Sequence, residues 1–511
     1  MKRLAVTILP LATALAVLAW LIPEVAFAHG FGEKYDLPLP LTLYVTGAGL
    51  AVALSFVIVA VFVRRTPSAT DYPRFNLLKL WPVRMLASTP VIQVIRVLSV
   101  LLLLIVLLTG ALGVNRSTAN IAPVLVWVYW WVGIAFVSAL IGNVWGLVNP
   151  VRTIYEWIDA LARRVVPGGL SFGQDDSSYP PAWGVWPAVI VFALFAWFEI
   201  AYEGSAEPLS LAIAIIGYCM ITWWGMAIFG ADKWMRNADV FSLIFGILSR
   251  FAPTELRVVS TSGETESIDD VEAFRAAPPE RREVGLRPPG AGLLSGAGTT
   301  TSYMILVVVL LSTVTFDGLQ DTPPWAQLVH RAFVNSPGWT STAVTLVNTA
   351  GLMAFAGIFV AAYLLFCAVM ARSGETPETR KTMAAARVFA LSLVPIAFAY
   401  HLAHFFSYLL IQGQVVIPHA SDPFGFGWDL FGTSDYQVNI GIINAQFVWI
   451  LAIVAIIIGH VIAVFLAHVT ALRHFGAHDV ALRSQRAMLI LMVGYTMVSL
   501  WILAQPITEY A

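Results

Sequence analysis

The feature that most constrains this chain is a series of ten apolar stretches, each long enough to cross a bilayer. They run approximately through 40–63, 91–113, 124–146, 184–203, 208–230, 301–317, 342–370, 387–411, 441–470 and 485–506. A helix rises about 1.5 Å per residue, so about 20 such residues cover the hydrocarbon layer. Backbone polar groups in lipid must find partners within the chain, and stretches of this length find them as helices. The expected fold class is therefore all-α, a polytopic transmembrane helical bundle of about ten spans. Hydrophobic residues make up 59% of the chain and charged residues 12%, which excludes a water-soluble globule. A net charge of −1 gives no basis for nucleic-acid binding. The lipid bilayer is the first partner the sequence implies.

Charge placement orients the spans. If the chain after residue 28 starts outside, the inside connections hold 24 lysines and arginines. The outside connections then hold three, namely Lys34, Arg116 and Arg331. That asymmetry is a strong positive-inside signal, and it places both ends outside, on the periplasmic face of a bacterial inner membrane. At the N-terminus, Lys2 and Arg3 precede an apolar run from Leu4 to Ile22, and Ala26-Phe27-Ala28 has the small-x-small form of a cleavage site. Residues 1–28 read as a cleaved signal peptide, leaving 29–511 as a single transmembrane helical domain.

Three cytoplasmic stretches stand out. Asn149-Pro150 has the form of a helix cap followed by proline at the first helical position. Ile154, Tyr155, Trp157, Ile158 and Leu161 then predict a helix lying along the membrane surface. Val240 to Phe251 is apolar but too short to span, with Asp239 placed to cap it. Residues 252–300 are rich in charge, proline and glycine and read as a mostly disordered loop. There is no internal repeat and no phosphate-binding loop.

The stretch Val394–Gln412 carries the polar residues of most interest. His401 and His404 lie one turn apart on one helix face, and Tyr408 and Gln412 continue that face in steps of four. Ionisable groups inside a membrane are costly and usually face protein or a water-filled cavity. Counted from the cytoplasmic edge, His401 and His404 stand roughly 15–25 Å up, in the outer half of the bilayer. Glu199 reaches a similar level on the fourth span, Asp317 on the sixth with Asp321 just above, and Asn444 and Gln446 on the ninth. Four spans thus offer polar groups at one depth. The outer loop PHASDPFGFGWDLFGTSDY (418–436), which includes Asp429, reads either as a connector with aromatics at the headgroup level or as a vestibule over this stripe.

Two imidazoles from one helix face and a carboxylate from a neighbour make a shell for a divalent transition metal such as zinc or copper, with a position open for water. Water on such a metal ionises near neutrality, and a second carboxylate can move its proton. On this reading His401 and His404 bind metal, Glu199 and Asp317 supply ligand and base, and Asp321, Tyr408, Asp429, Asn444 and Gln446 line the substrate's approach. Two other residues fit metal chemistry of another kind. His460, lower on the ninth span, would suit bis-histidine haem ligation if it met His401 or His404. His29 becomes a copper-chelating N-terminus if the chain is cut after Ala28. The bland alternative throughout is that the histidines are hydrogen-bonding contacts between helices.

Several stretches together resemble a known family: AHGFGEKYDLPLPL, GNVWGLVNPVRTIYEW (142–157), TFDGLQDTPPW (315–325), PIAFAYHLAHFFSYLLIQGQ (395–414) and GHVIAVFLAHVTALR (459–473). They are similar to the bacterial integral-membrane proteins named fenitrothion hydrolase, over most of the chain after residue 28. The resemblance implies hydrolysis of an organophosphate triester with release of a nitrophenol, and a second protein subunit as partner. It carries over no catalytic residue. The leading expectation is a metal-dependent membrane hydrolase that takes a small apolar substrate at an outward-facing site. A copper- or haem-carrying protein for metal handling or electron transfer is the second reading, and a transporter the third. No paired, broken spans in matching halves favour the transporter.

Overall fold

A computed structural model describes residues 35–64, 75–165, 178–260, 265–268, 271–295, 299–335 and 340–509. The cleavage site and His29 lie outside the described residues. Among the described residues, ten helices are long and apolar enough to cross a membrane. We number these spans α1 (Leu41–Phe62), α2 (Thr89–Leu112), α3 (Ile121–Leu140), α4 (Pro181–Ile200) and α5 (Pro208–Phe229). They continue as α6 (Thr301–Gln320), α7 (Thr340–Ala371), α8 (Val394–Gln412), α9 (Ala445–Phe475) and α10 (His478–Ala504). Each falls on one of the apolar stretches read from the sequence. The chain is a multi-pass helical membrane protein.

An even number of crossings returns the chain to the side from which it started. The two ends meet this condition: strand β1 (Tyr35–Asp36) pairs in parallel with the C-terminal strand Thr508–Glu509. The Tyr35 amide donates to the Ile507 carbonyl at 3.1 Å.

Contacts divide the chain into two compact units. The first comprises residues 1–66, 308–407 and 440–511. Its core gathers Val45 and Ala48 of α1, Tyr400 and Ala403 of α8, Val448, Trp449, Ala452 and Ile456 of α9, and Leu500 of α10. Small residues bring the helices close. A β-carbon at Gly459 of α9 would stand against Ala399 and 2.8 Å from the Pro395 carbonyl oxygen, so α8 and α9 touch through their backbones.

The second unit comprises residues 67–307 and 408–439. Both caps expected there are present. Asn149 Oδ1 accepts from the amides of Val151 at 3.0 Å and Arg152 at 3.2 Å, opening the helix Pro150–Val165. Asp239 Oδ2 accepts from the Ser242 amide at 2.9 Å and starts Val240–Ser249. In the helix Pro150–Val165, Val151 and Tyr155 are buried while Trp157, Ile158 and Leu161 are exposed, which suits a helix resting on lipid. Its polar face forms an ion network: buried Arg96 of α2 bonds Glu156, Arg152 Nε meets the other Glu156 oxygen at 2.8 Å, and Arg152 also reaches Asp232. Burial by itself would raise the Glu156 carboxyl, but the hydrogen bonds and charges of Arg96 and Arg152 outweigh it and hold the group below its ordinary value.

The expectation of a mostly disordered 252–300 loop is corrected. Strands β2 (Thr254–Val259), β3 (Thr265–Ile268) and β4 (Arg282–Leu286) form an antiparallel sheet in the order β3-β2-β4. Leu256 on the central strand pairs with Ile268 on one side and Val284 on the other. The buried Arg257 guanidinium lies 3.3 Å from Glu255 and 3.8 Å from Glu283, a charge contact without hydrogen bonds.

Candidate functional site

Span α8 opens with Val394-Pro395, and proline is tolerated there because a first-turn amide has no helical partner to lose. The helix then carries Tyr400, His401 and His404. Tyr400 and His404, four residues apart, share a face. Across from them, α6 brings up Asp317. His404 Nε2 and Asp317 Oδ2 are 3.0 Å apart. A carboxylate only accepts, so the Nε2–H donates, and whenever the ring is neutral its lone pair sits on Nδ1. The two side chains are 12% and 26% exposed, which leaves the pair largely desolvated but reachable by water.

The TFDGLQDTPPW stretch builds the Asp317 side of this pair. Phe316 is buried and meets the Trp325 ring edge-on at 5.0 Å between centroids. Trp325 lies over Gly351 of α7, where a β-carbon would collide with the indole, and its Nε1 donates to Asn348 Oδ1 at 3.1 Å. Gly318, next to Asp317, leaves room for the Tyr400 hydroxyl. Asp321 stands four residues beyond Asp317 and is exposed. Phe405 contacts both imidazoles, with centroids 4.7 Å from His401 and 4.6 Å from His404.

The remaining candidates are placed as follows. Glu199 is half-buried near the end of α4, within the second unit. Tyr408 is exposed on α8. Asn444 caps α9, its Oδ1 accepting from the Phe447 amide at 2.7 Å, and Gln446 is exposed in the turn that follows. Asp429 shapes the outer loop, where the Ser434 amide donates to its Oδ1 at 3.1 Å and holds the carboxyl below its usual range. The loop is internally bonded, with the Asp422 carboxylate accepting from the amides of Phe426 at 2.9 Å and Gly427 at 2.7 Å. His460 is fully buried on α9, its Nδ1 2.8 Å from the Ile456 carbonyl oxygen.

Among the described residues, no three His, Cys, Asp or Glu side chains gather as a metal-binding group. The contact that the fold makes among these candidates joins His404 to Asp317. Three neighbours escaped the sequence reading: Tyr400, Thr315 and Tyr495. The signal for Tyr400 was present, because it precedes His404 by four residues. Thr315 and Tyr495 lie on spans that carry other hydroxyl residues beside them, and nothing in the sequence singles them out.

No family model, no curated protein and no solved structure matches this chain.

Proposed function

We propose that this chain is an integral-membrane hydrolase whose general base is His404, oriented by Asp317. The observation that carries the reading is the 3.0 Å contact between His404 Nε2 and Asp317 Oδ2 inside an apolar helical unit. With Nε2–H held by the carboxylate, Nδ1 is the atom that takes a proton from water as the water attacks an electrophilic centre. Asp317 also stabilises the imidazolium that results, as the carboxylate partner does in histidine-based hydrolysis generally. Phe405 and Tyr400 give the imidazole an aromatic surround, which suits an aromatic, lipid-soluble substrate entering from the bilayer. The resemblance to fenitrothion hydrolase points to an organophosphate triester as that substrate.

The mechanism is written on His404 and Asp317, the two side chains that an observed contact joins. The compartment belongs to the same proposal. The positive-inside asymmetry puts both ends and the His404 level toward the periplasm of a bacterial inner membrane, after removal of residues 1–28.

The test is hydrolysis of a nitrophenyl phosphotriester by detergent-purified protein and by His404→Ala and Asp317→Asn variants, with bound metal measured per polypeptide. We expect His404→Ala to lower kcat by about 10²-fold or more, the range of a lost general base. Full activity in His404→Ala would sink the assignment. Stoichiometric zinc or copper that disappears in the variant would replace the unaided pair with a metal centre.

A further inference from the structure

The outer loop 418–436 belongs to the second unit, and nothing proposed so far uses it. It is held over the ends of α2 and α3. The Val114 amide donates to the Phe424 carbonyl at 2.8 Å, and the Ile121 amide donates to the Pro423 carbonyl at 3.2 Å. Glycine is required at the next position: Gly425 has φ +76°, and a β-carbon there would stand 2.3 Å from the Ala119 carbonyl oxygen. Ser421 Oγ accepts from the amides of Phe431 and Thr433, each at 3.2 Å. Gln414 Oε1 closes the return, accepting from the Tyr436 hydroxyl at 2.8 Å and the Asn439 amide at 3.0 Å.

This bonded framework presents an apolar tip. Phe424, Phe426 and Trp428 form a ring cluster, with centroids 5.3 to 5.6 Å apart. Phe426 is 53% exposed, Trp428 43%, Leu430 59% and Phe431 70%. Large apolar side chains exposed together on an ordered backbone mark an interaction surface. Here the surface continues one that already faces lipid. Leu101, Leu104, Leu108 and Leu112 follow in steps of three and four along α2, so they share a face, and all of them are exposed. That face ends at Leu112, two residues before the Val114 amide that holds the loop.

The polar groups decide between lipid and protein as the partner. The loop spends its side-chain acceptors on its own amides: Asp422 on Phe426 and Gly427, Asp429 on Ser434, and Ser421 on Phe431 and Thr433. A protein interface carries about one hydrogen bond per 100–200 Å², yet among the side chains of the tip only the Trp428 indole can donate. Aromatic and aliphatic groups at the headgroup level need no such pairing. The loop also contains three aspartates and no lysine or arginine, so nothing draws it to anionic headgroups. We propose that Phe426, Trp428, Leu430 and Phe431 insert into the leaflet that Leu112 reaches and dock the loop on a zwitterionic lipid surface. The loop is then a membrane-seated cap on the ends of α2 and α3, and not a lid that moves in water.

The experiment uses full-length protein in lipid nanodiscs, nitroxide-labelled at Phe426→Cys, Phe431→Cys, Leu112→Cys or Asp435→Cys. The native thiols, Cys219 and Cys367, are buried and do not compete for the label. Power-saturation spectra compare collisions with oxygen, which concentrates in lipid, and with a water-soluble nickel chelate. We expect labels at 426 and 431 to favour oxygen as the label at 112 does, while the label at 435 favours nickel. The result should be the same in phosphatidylcholine alone and with phosphatidylglycerol added. Nickel accessibility at 426 and 431 equal to that at 435 would overturn the proposal. Labels shielded from both reagents would also overturn it, and would assign the tip to a second copy of the chain or another protein. So would insertion that appears only with phosphatidylglycerol, because the loop has no cation to respond to it. A second measurement leaves the loop unsubstituted. The Trp428 indole N–H, identified as the nitrogen signal lost in Trp428→Phe, should receive magnetisation from acyl-chain protons. Transfer from water alone would refute insertion.

Discussion

Gly318 and the Tyr400 hydroxyl compete for one space: a β-carbon at position 318 would stand on the phenolic oxygen, with Ile502 also 3.2 Å away. Alanine has a higher helix propensity than glycine by up to about 1 kcal/mol, so an open site would make Gly318→Ala stabilising. Overpacking of a filled core costs about 1–3 kcal/mol and wins here, because the Tyr400 ring is fully buried. Gly318→Ala should lower the melting temperature in detergent, and Gly318→Ala/Tyr400→Phe should recover much of the loss by removing the oxygen. A single variant as stable as wild type would show that Tyr400 is not held over Gly318.

What the sequence made legible follows from what each pattern encodes. Hydropathy runs report span number and length, and all ten spans appear where the runs lie. Caps at Asn149 and Asp239 are local chemistry and were equally readable. The depth count brought Asp317 and His404 to one level, and the fold joins them. Depth does not report which way a helix face turns, so it ranked Glu199 equal to Asp317, although the two fall in different units. The 252–300 stretch misled for another reason. Its strands are four to six residues long, and the strand pairing that sets Arg257 opposite Glu283 spans residues far apart in sequence, which composition does not register.

Gly459 supports a prediction about assembly of the first unit. Gly459→Val should disrupt the backbone contact of α9 with Ala399 and Pro395 on α8 and should reduce the yield of monodisperse protein. Gly494→Ala on α10 is the control, since nothing lies within 4 Å of a β-carbon there. The control should match wild type or exceed it by the difference in helix propensity. Equal behaviour of the two variants in size-exclusion chromatography would argue against close packing of α8 and α9.

The Arg96–Glu156–Arg152 network gives the second unit an acid-sensitive contribution. Glu156 in the folded chain is held below its ordinary value near 4.5. Its contribution to stability is therefore fully present above that value and is lost as pH falls through the lower folded value. Glu156→Gln removes the negative charge at all pH values. Between exposed and buried ion pairs, the expected loss at pH 7 is about 1–3 kcal/mol. Melting curves of variant and wild type should differ at pH 7 and converge in acid below the folded value. A constant difference across that range would mean that Glu156 acts through packing.

The tautomer of His404 makes the site itself testable. Asp317 can only accept, so it fixes the proton on Nε2 and leaves Nδ1 basic. Asparagine at 317 is nearly isosteric but can turn its amide N–H toward Nε2, which drives the ring proton to Nδ1 and removes the lone pair that would meet water. Asp317→Asn should therefore preserve the fold and substrate affinity while lowering kcat by about 10²–10⁴-fold, the contribution of general-base catalysis. Nitrogen shifts of the His404 ring should show the proton moving from Nε2 to Nδ1 in the variant. If the tautomer moves and kcat does not, His404 is a structural contact between α6 and α8 and not the base. If the tautomer stays on Nε2 and kcat falls, the missing element is the negative charge that stabilises the imidazolium.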